Sequence, residues 1–373
     1  MQSLGDSPSL SLGFLGRADA RLLERSFTIE DPSTLPDLAQ AIPPGEPSPH
    51  ILFKYDTKAS GRPKLRCAHC KGARHWKGYV VQLASGQSAL IAERQCGRDA
   101  FGLKWDAVES QFNGERDRQL DLQRLLLVEP LLAPLISELQ ACVMAGNLEG
   151  HGRYLADLRT RFGLFGQALA KMARHGGQLE ATHWVRNRAK EEDRVRKLRP
   201  DLIDDVEEAL ELAYRQRARK ILDRFIEDNC KVEEPTQKIL GQCRGWTTFI
   251  PGPTSKTLLA QALAALIATR KALDDAGAPG KLGPLLKEIA TACEDITRAL
   301  ELARELERFV AWDNLEQIAQ WVAMDGSLRF AFQVEGSTLL DKLTGNRLAL
   351  DDAWSIPAMV GLDRMKGALE ASA

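Results

Sequence analysis

The sequence predicts a mainly α-helical protein, in which a small basic β-hairpin module precedes a helical-bundle body and a short β element lies near the C-terminus. Three observations predict this fold class. Strand-forming residues surround a Ser-Gly-Gln-Ser turn within residues 76–92. Apolar residues recur at helical spacing through most of the chain after Asp106. Residues 327–334 alternate between apolar and polar side chains, as a half-buried strand does.

The composition is ordinary for a globular protein that has no global attraction to nucleic acid or membranes. The 373 residues are 44% hydrophobic and 27% charged, and the formal net charge is −1. Four of the seven cysteines are scattered without a pairing rhythm, which favours a reducing compartment over a disulfide framework. No secretion signal or membrane span is expected, because the longest apolar run, residues 258–268, is too short. We therefore expect a cytoplasmic protein without a membrane partner.

Residues 1–50 are predicted to form a flexible, Pro-rich N-terminal segment. Four prolines within residues 43–49 stiffen the chain just before the module, because each proline restricts its own backbone and that of the preceding residue. A short helix is expected over residues 17–25.

Residues 51–112 are predicted to form the β-hairpin module, which carries a metal-ligand spacing. Cys67 and Cys70 form a C-x2-C pair, His75 follows within five residues, and Cys96 comes after the hairpin. Thiolates and imidazoles are the ligands of tetrahedral structural Zn²⁺ sites, which commonly join two separate elements of the chain. The sequence therefore predicts one Zn²⁺ ion held by Cys67, Cys70, His75 and Cys96.

The order of C-x2-C turn, hairpin and cysteine at a helix start resembles the treble-clef class of zinc modules over residues 67–101. Members of that class usually repeat C-x2-C at the helix start, whereas here Asp99 follows Cys96 at that spacing. The fourth ligand therefore stays open, with His75 favoured, Asp99 second, and His69, inside the turn, third. A C-x2-C pair is also typical of disulfide oxidoreductases, but this pair follows no buried strand and begins no apolar helix.

The module is strongly basic. Residues 51–105 contain eleven basic and three acidic residues, a net charge of +8, so the rest of the chain carries −9. Basic side chains bind phosphates and exposed aromatic rings stack on bases. This pattern predicts nucleic-acid contacts by Lys64, Arg66, Lys71, Arg74, Trp76 and Lys77. The alternative is that the aromatic rings of the module form its own small core.

The body is predicted as a helical region over residues 113–243 and a helical-hairpin region over residues 244–325. We expect a break or kink at Pro130, a charged helix over residues 178–198, and a helix from Asp201 with acids early and bases late, as the helix dipole favours. Residues 285–310 carry two apolar rows at seven-residue, coiled-coil-like spacing. This seam could bind a protein partner or a second copy, although packing within the chain against residues 256–274 is favoured.

Residues 326–373 are predicted to form a small β and helical element. A strand over residues 327–334, a turn at residues 344–346 and a returning strand over residues 347–350 are expected, with Trp354 closing this end of the chain.

No catalytic constellation stands out, and no catalytic residue is assigned. Three histidines outside the module, His151, His175 and His183, are isolated in the sequence, and no nucleotide-binding fingerprint is present. The sequence favours a non-enzymatic zinc protein whose module contacts the backbone of DNA or RNA. The alternative is a protein-binding scaffold in which zinc is purely structural, and an enzyme of unrecognised class comes third.

Overall fold

The structure is a computed structural model that describes residues 16–47, 49–70, 74–92, 94–146, 148–276, 282–325, 327–350 and 356–371. Within these residues the chain forms twelve α-helices and eleven short strands, so the mainly α prediction is confirmed. The chain divides into two compact units, each assembled from separated segments. Unit 1 comprises Met1–Gln140, Gln261–Asp295 and Met359–Ala373, and unit 2 comprises Ala141–Ala260 and Ile296–Ala358.

The strands of unit 1 form one sheet and one ribbon. The sheet has the order β1-β6-β5-β2 and comprises β1 (Leu38–Ala39), β2 (His50–Asp56), β5 (Lys77–Gln82) and β6 (Ser88–Ala92). In the ribbon, β3 (Leu65–Arg66) pairs antiparallel with β4 (Arg74–His75). Helix α1 (Arg17–Glu24) precedes the sheet and α2 (Arg94–Phe101) follows β6. The predicted hairpin and the helix start at Cys96 therefore correspond to β5, β6 and α2.

Most aromatic rings of the module form its core. Tyr79 lies 5.6 Å from Trp105 and 6.1 Å from Phe112, measured between ring centroids, and all three side chains are buried. Phe27, from the predicted N-terminal segment, packs at 5.2 Å against Phe112. Trp76 differs, because 39% of it is exposed. Interior packing thus accounts for these core rings and leaves Trp76 available at the surface.

Four helices contribute to the remainder of unit 1: α3 (Lys104–Met144), α9 (Ser255–Ala276), α10 (Gly283–Phe309) and α12 (Val360–Glu370). The Arg270 guanidinium lies 3.9 Å from the Glu129 carboxylate, which links α9 to α3. The backbone N–H of Gly361 donates to Glu138 at 2.9 Å, which links the start of α12 to α3. Side chains on α3 therefore anchor segments that lie more than a hundred residues away in the chain.

A break at Pro130, one of the two predicted outcomes, is absent, because α3 continues through Pro130 and Pro134. Each proline removes one backbone donor from the helix. However, a buried stripe runs across both prolines and includes Leu125, Val128 and Leu132. Burial of one continuous face holds the helix together although two backbone donors are missing.

Helix α3 also contains an 18-residue stretch with a mean hydropathy of 1.5, of which 28% is buried. By length and composition alone, this stretch is apolar enough to cross a membrane. Core helices of water-soluble proteins pass the same criterion, so the stretch is weak evidence for a membrane span.

Unit 2 contains α4 (Glu149–Thr160), α5 (Gly163–Arg174) and α11 (Trp312–Met324) around a core that includes Phe165, Phe309 and Trp321. The predicted C-terminal β element is present as a three-stranded sheet with the order β11-β10-β9. Its strands are β9 (Phe332–Glu335), β10 (Thr338–Asp341) and β11 (Arg347–Leu348). Trp354 lies outside the described residues.

A long antiparallel ribbon carries a helical insertion in unit 2. Its strands are β7 (Gln178–Arg186) and β8 (Glu233–Gln242), and α6 (Arg188–Leu198), α7 (Asp201–Glu207) and α8 (Leu212–Phe225) lie between them. The predicted helix over residues 178–198 is therefore wrong in its first half. Thr182, Trp184 and Val185 are strand formers, and their partners on β8 come from more than 45 residues later in the chain.

The helix predicted from Asp201 is two helices rather than one. Because α7 ends at Glu207 and α8 begins at Leu212, Arg215 and Arg217 lie in the first two turns of α8. Positive charge is unfavourable near a helix N-terminus, so the helix dipole does not account for the position of these bases.

The apolar seam of α10 is buried within the chain. Ile289, Ala292, Ile296, Ala299 and Leu306 are each at most 1% exposed. Other parts of the same chain therefore cover the face that the heptad-like spacing identifies.

Candidate metal centre

Three cysteines converge where the ribbon, the sheet and α2 meet. Cys67 and Cys70 lie in the turn that follows β3, and Cys96 is the third residue of α2. Their three Sγ atoms all lie within 4.8 Å of one another, and the Sγ atoms of Cys70 and Cys96 are 3.8 Å apart. The hairpin of β5 and β6 brings α2 back to the C-x2-C turn, since Gly78 pairs with Ala92 just before the helix. This three-cysteine group could hold a metal ion.

Two thiols of the cysteine group have pKa values shifted in opposite directions. Burial acts to raise the pKa of Cys67, but the neighbouring His75 imidazole and backbone N–H groups, including that of Ala92 at 3.4 Å, lower it to about 5. Burial raises the pKa of Cys96, and the negative charges of Cys67 and Cys70 raise it further. Converging thiolates repel one another, and a bound divalent cation would stabilise all three.

His75 lies beside the cysteine group. Its Nδ1–H donates to the Lys77 carbonyl oxygen at 2.9 Å, and its Nε2 is buried without a hydrogen-bond partner. The influence of His75 on the pKa of Cys67 indicates that the imidazole lies next to one of the three sulfur atoms. The close group itself comprises the three cysteines, so His75 as fourth ligand stays a prediction.

The two alternative fourth ligands also lie outside the close group of described ligand atoms. Asp99 is exposed on α2 and accepts a hydrogen bond from Gln95 Nε2 at 2.8 Å. His69 is half-buried within the C-x2-C turn.

The β3–β4 ribbon brings four of the predicted nucleic-acid contacts together. The register pairs Arg66 directly with Arg74, and Leu65 directly with His75. Lys64 directly precedes β3 and Trp76 directly follows β4. The Lys64 Nζ lies 4.1 Å from the centroid of the Trp76 ring. Leu65 and His75 lie on the ribbon face opposite the two arginines.

The other two predicted contacts differ from these four. Lys77 lies 3.0 Å from the Asp56 carboxylate, and the hydrogen bond from Lys77 lowers the pKa of Asp56. This ion pair reduces the positive charge that Lys77 can offer to a phosphate. Lys71 lies outside the described residues.

No family model, no curated protein and no solved structure matches this chain significantly. The chemistry of the module therefore rests on its own residues: three converging sulfur atoms, an adjacent imidazole and a ribbon face with opposed arginines.

Two residues that the sequence does not single out position this centre. A Cβ atom at Gly97 would lie 2.6 Å from Cζ2 of Trp105 and closer still to two other ring atoms, so α2 packs tightly on that ring directly beside Cys96. The Tyr55 hydroxyl lies 3.3 Å from His75 Nδ1, which fixes one edge of the imidazole. The Cys-Gly dipeptide at 96–97 is a weak signal, because only the packing of Trp105 gives this glycine a role.

Proposed function

We propose that the module binds one structural Zn²⁺ ion through Cys67, Cys70, Cys96 and His75, and that the β3–β4 ribbon contacts the phosphate backbone of nucleic acid. The observation that carries the proposal is the direct opposition of Arg66 and Arg74 beside Trp76, on the ribbon that leads into the cysteine turn.

The donor set fits zinc. Three thiolates and one imidazole form a Cys3His set, which is common in closed structural zinc sites. A histidine that binds zinc through Nε2 usually donates its Nδ1–H to a carbonyl or carboxylate oxygen, which fixes its tautomer and orientation. His75 has this arrangement, because Nδ1–H donates to Lys77 and the buried Nε2 has no partner. Four protein ligands would leave no open position on the metal, so we assign the ion a structural role.

The ribbon suits an anionic partner. Like charges placed directly opposite each other on paired strands destabilise a sheet. Arg66 and Arg74 occupy such a pair, and Lys64 directly precedes β3. A phosphate oxygen between the two guanidinium groups would accept charge-assisted hydrogen bonds from both. This pairing supports phosphate recognition more directly than the net charge of the module does.

Trp76 adds a surface on which an unpaired base could stack. Its ring is 39% exposed and has Lys64 at 4.1 Å and Lys58 at 5.4 Å from its centroid. Base stacking on such a ring contributes about 1–3 kcal/mol per base and depends little on sequence. We therefore expect binding with little base specificity and a preference for single strands.

The experiment measures binding of fluorescent single-stranded and duplex oligonucleotides by anisotropy over a range of salt concentrations, with zinc-loaded full-length protein. Each phosphate contact contributes about −0.9 to the log–log salt slope for duplex DNA. Replacing both Arg66 and Arg74 by glutamine should therefore reduce the magnitude of the slope by about 2 and weaken all sequences alike. Trp76→Ala should weaken single-strand binding more than duplex binding.

The matched control replaces Arg62 and Arg98, two bases of the same module that lie outside the β3–β4 ribbon and form ion pairs with Asp31 and Asp106. Glutamine at both positions should change the salt slope much less, although the loss of formal charge is identical. If folded, zinc-loaded protein has no affinity for DNA or RNA at low salt, the proposal fails. The scaffold alternative, in which the zinc module binds protein, then takes its place.

A further inference from the structure

Unit 2 contains a cavity of about 400 Å³ between α4, α5 and the loop that precedes α9. This volume lies within the range of about 300–1,000 Å³ that is typical of small-molecule sites. The walls are mainly apolar and include Leu155, Leu158, Phe249, Ile250 and Leu302. The polar side chains on its lining are those of His151, Thr248, Gln167 and Arg159.

One end of the cavity presents a hydroxyl donor. The hydroxyl and the backbone N–H of Ser255 donate to His151 Nδ1 at 2.8 and 3.2 Å, so Nδ1 is an acceptor and the ring proton of the neutral imidazole lies on Nε2. Nε2–H then donates to Thr248 Oγ1 at 3.1 Å. His151 and Thr248 are 1% and 3% exposed, so water does not replace these bonds.

The hydrogen bonds from Ser255 through His151 to Thr248 leave the hydrogen of the Thr248 hydroxyl free to donate to a ligand. Thr248 Oγ1 accepts from His151, and no acceptor for its own hydrogen is present among the described residues. A buried donor without an acceptor costs about 1–3 kcal/mol, and this one belongs to a side chain that lines the cavity. A ligand oxygen at this end would satisfy the donor.

The other end presents a cation. His151, Leu155 and Arg159 follow one another at four-residue spacing, so they share one face of α4. Arg159 has no ion pair or hydrogen bond with any described residue, whereas Arg161, directly after α4, pairs with Asp157 at 3.5 Å. With a rise of 1.5 Å per residue, the helix separates positions 151 and 159 by about 12 Å.

We propose that this cavity binds a linear organic acid of about eight carbons, with its carboxylate at Arg159 and a hydroxyl or carbonyl oxygen at Thr248. The apolar walls cover the chain between the two ends. The site lies in unit 2 and is independent of the function proposed for the zinc module.

The probes are 8-hydroxyoctanoate, octanoate, which lacks the oxygen at the far end, and octane-1,8-diol, which lacks the carboxylate. Isothermal titration with the full chain should give saturable one-to-one binding of 8-hydroxyoctanoate. The diol should bind about tenfold more weakly or worse, because it loses a charge-assisted hydrogen bond, and octanoate should also bind more weakly.

Two variants and one control complete the test. Arg159→Gln should lower the affinity for 8-hydroxyoctanoate to that for the diol, whereas Arg161→Gln, directly after α4 and away from the cavity lining, should not. Ala170→Leu keeps a good helix former in α5 and extends a side chain from the cavity lining, so it should abolish binding of all three probes. Circular dichroism checks that each variant is folded.

Three outcomes would overturn the inference: no saturable binding of 8-hydroxyoctanoate to folded protein, binding that survives Ala170→Leu, or equal losses in Arg159→Gln and Arg161→Gln. Equal affinity for octanoate and 8-hydroxyoctanoate would overturn the contact assigned to Thr248.

Discussion

Gly97→Ala tests whether the packing of α2 on Trp105 positions the metal centre. The added Cβ would lie 2.6 Å from Cζ2 of Trp105, whereas ordinary contacts are 3.4–4 Å. Trp105 is fully buried, so its ring has no free space to enter. The helix, the ring or both must therefore move by about 1 Å in a close-packed interior.

The magnitude follows from two opposing effects. Alanine is more favourable than glycine inside a helix by about 0.5–1 kcal/mol. Overpacking a core costs about 1–3 kcal/mol, so we expect a net destabilisation of about 1–2 kcal/mol. Cys96 directly precedes Gly97, and a shift of about 1 Å exceeds the tolerance of about 0.2 Å in metal–ligand distances. We therefore expect zinc affinity to fall by about tenfold or more, which corresponds to about 1.4 kcal/mol or more.

The assay combines competition for zinc with a chromophoric chelator and denaturant unfolding of the zinc-loaded protein. The matched control is Gly114→Ala in α3, where an added Cβ meets no atom within 4 Å. This control should keep zinc affinity and match or exceed the stability of the unaltered protein. Adding Trp105→Phe to Gly97→Ala should make room and recover part of the zinc affinity. A Gly97→Ala protein with unchanged zinc affinity and stability would refute the positioning role.

Three further predictions concern the metal, the α10 seam and a buried histidine. Cys96→Ser should release zinc while helical circular dichroism largely survives, and Cys142→Ser, a buried cysteine outside the group, should retain it; purified protein with no metal and rapidly titrating thiols would contradict this. Leu306→Ala should cost about 2–5 kcal/mol of folding stability by leaving a cavity, with unchanged sedimentation, since Leu306 is fully buried within the chain; dissociation of an oligomer would instead indicate a dimer interface. Burial lowers the pKa of His151 from 6.5 to about 4, so stability should be complete above about pH 6.5 and should fall by up to about 3 kcal/mol toward pH 4. Urea unfolding across this range checks the slope, which His151→Gln should remove.

Local patterns predict the hairpin between the cysteines well. Strand formers flank a turn in residues 76–92, and cysteines occur before and after it, so nearby residues alone determine where β5, β6 and α2 form. Local patterns give the wrong secondary structure where a segment is stabilised by residues that lie far away in the chain. The strand β7 looks like a charged helix because its hydrogen-bonding partners on β8 are absent from the local sequence. Pro130 looks like a helix end because the packing that carries α3 past it is not local.

The sequence by itself determines the chemical inventory of this protein: a C-x2-C pair with a later cysteine, a module with a net charge of +8, and an apolar seam on α10. These properties depend on residue types and on spacing along one element, and both can be obtained from the sequence without the tertiary structure. Only the tertiary structure decides that Arg66 faces Arg74, that Gly97 lies against Trp105, and that His151 connects Ser255 to Thr248. Each of these depends on strand register or packing between residues that lie apart in the chain. Such contacts are selected by burial and hydrogen bonding in the whole fold, which no local pattern encodes.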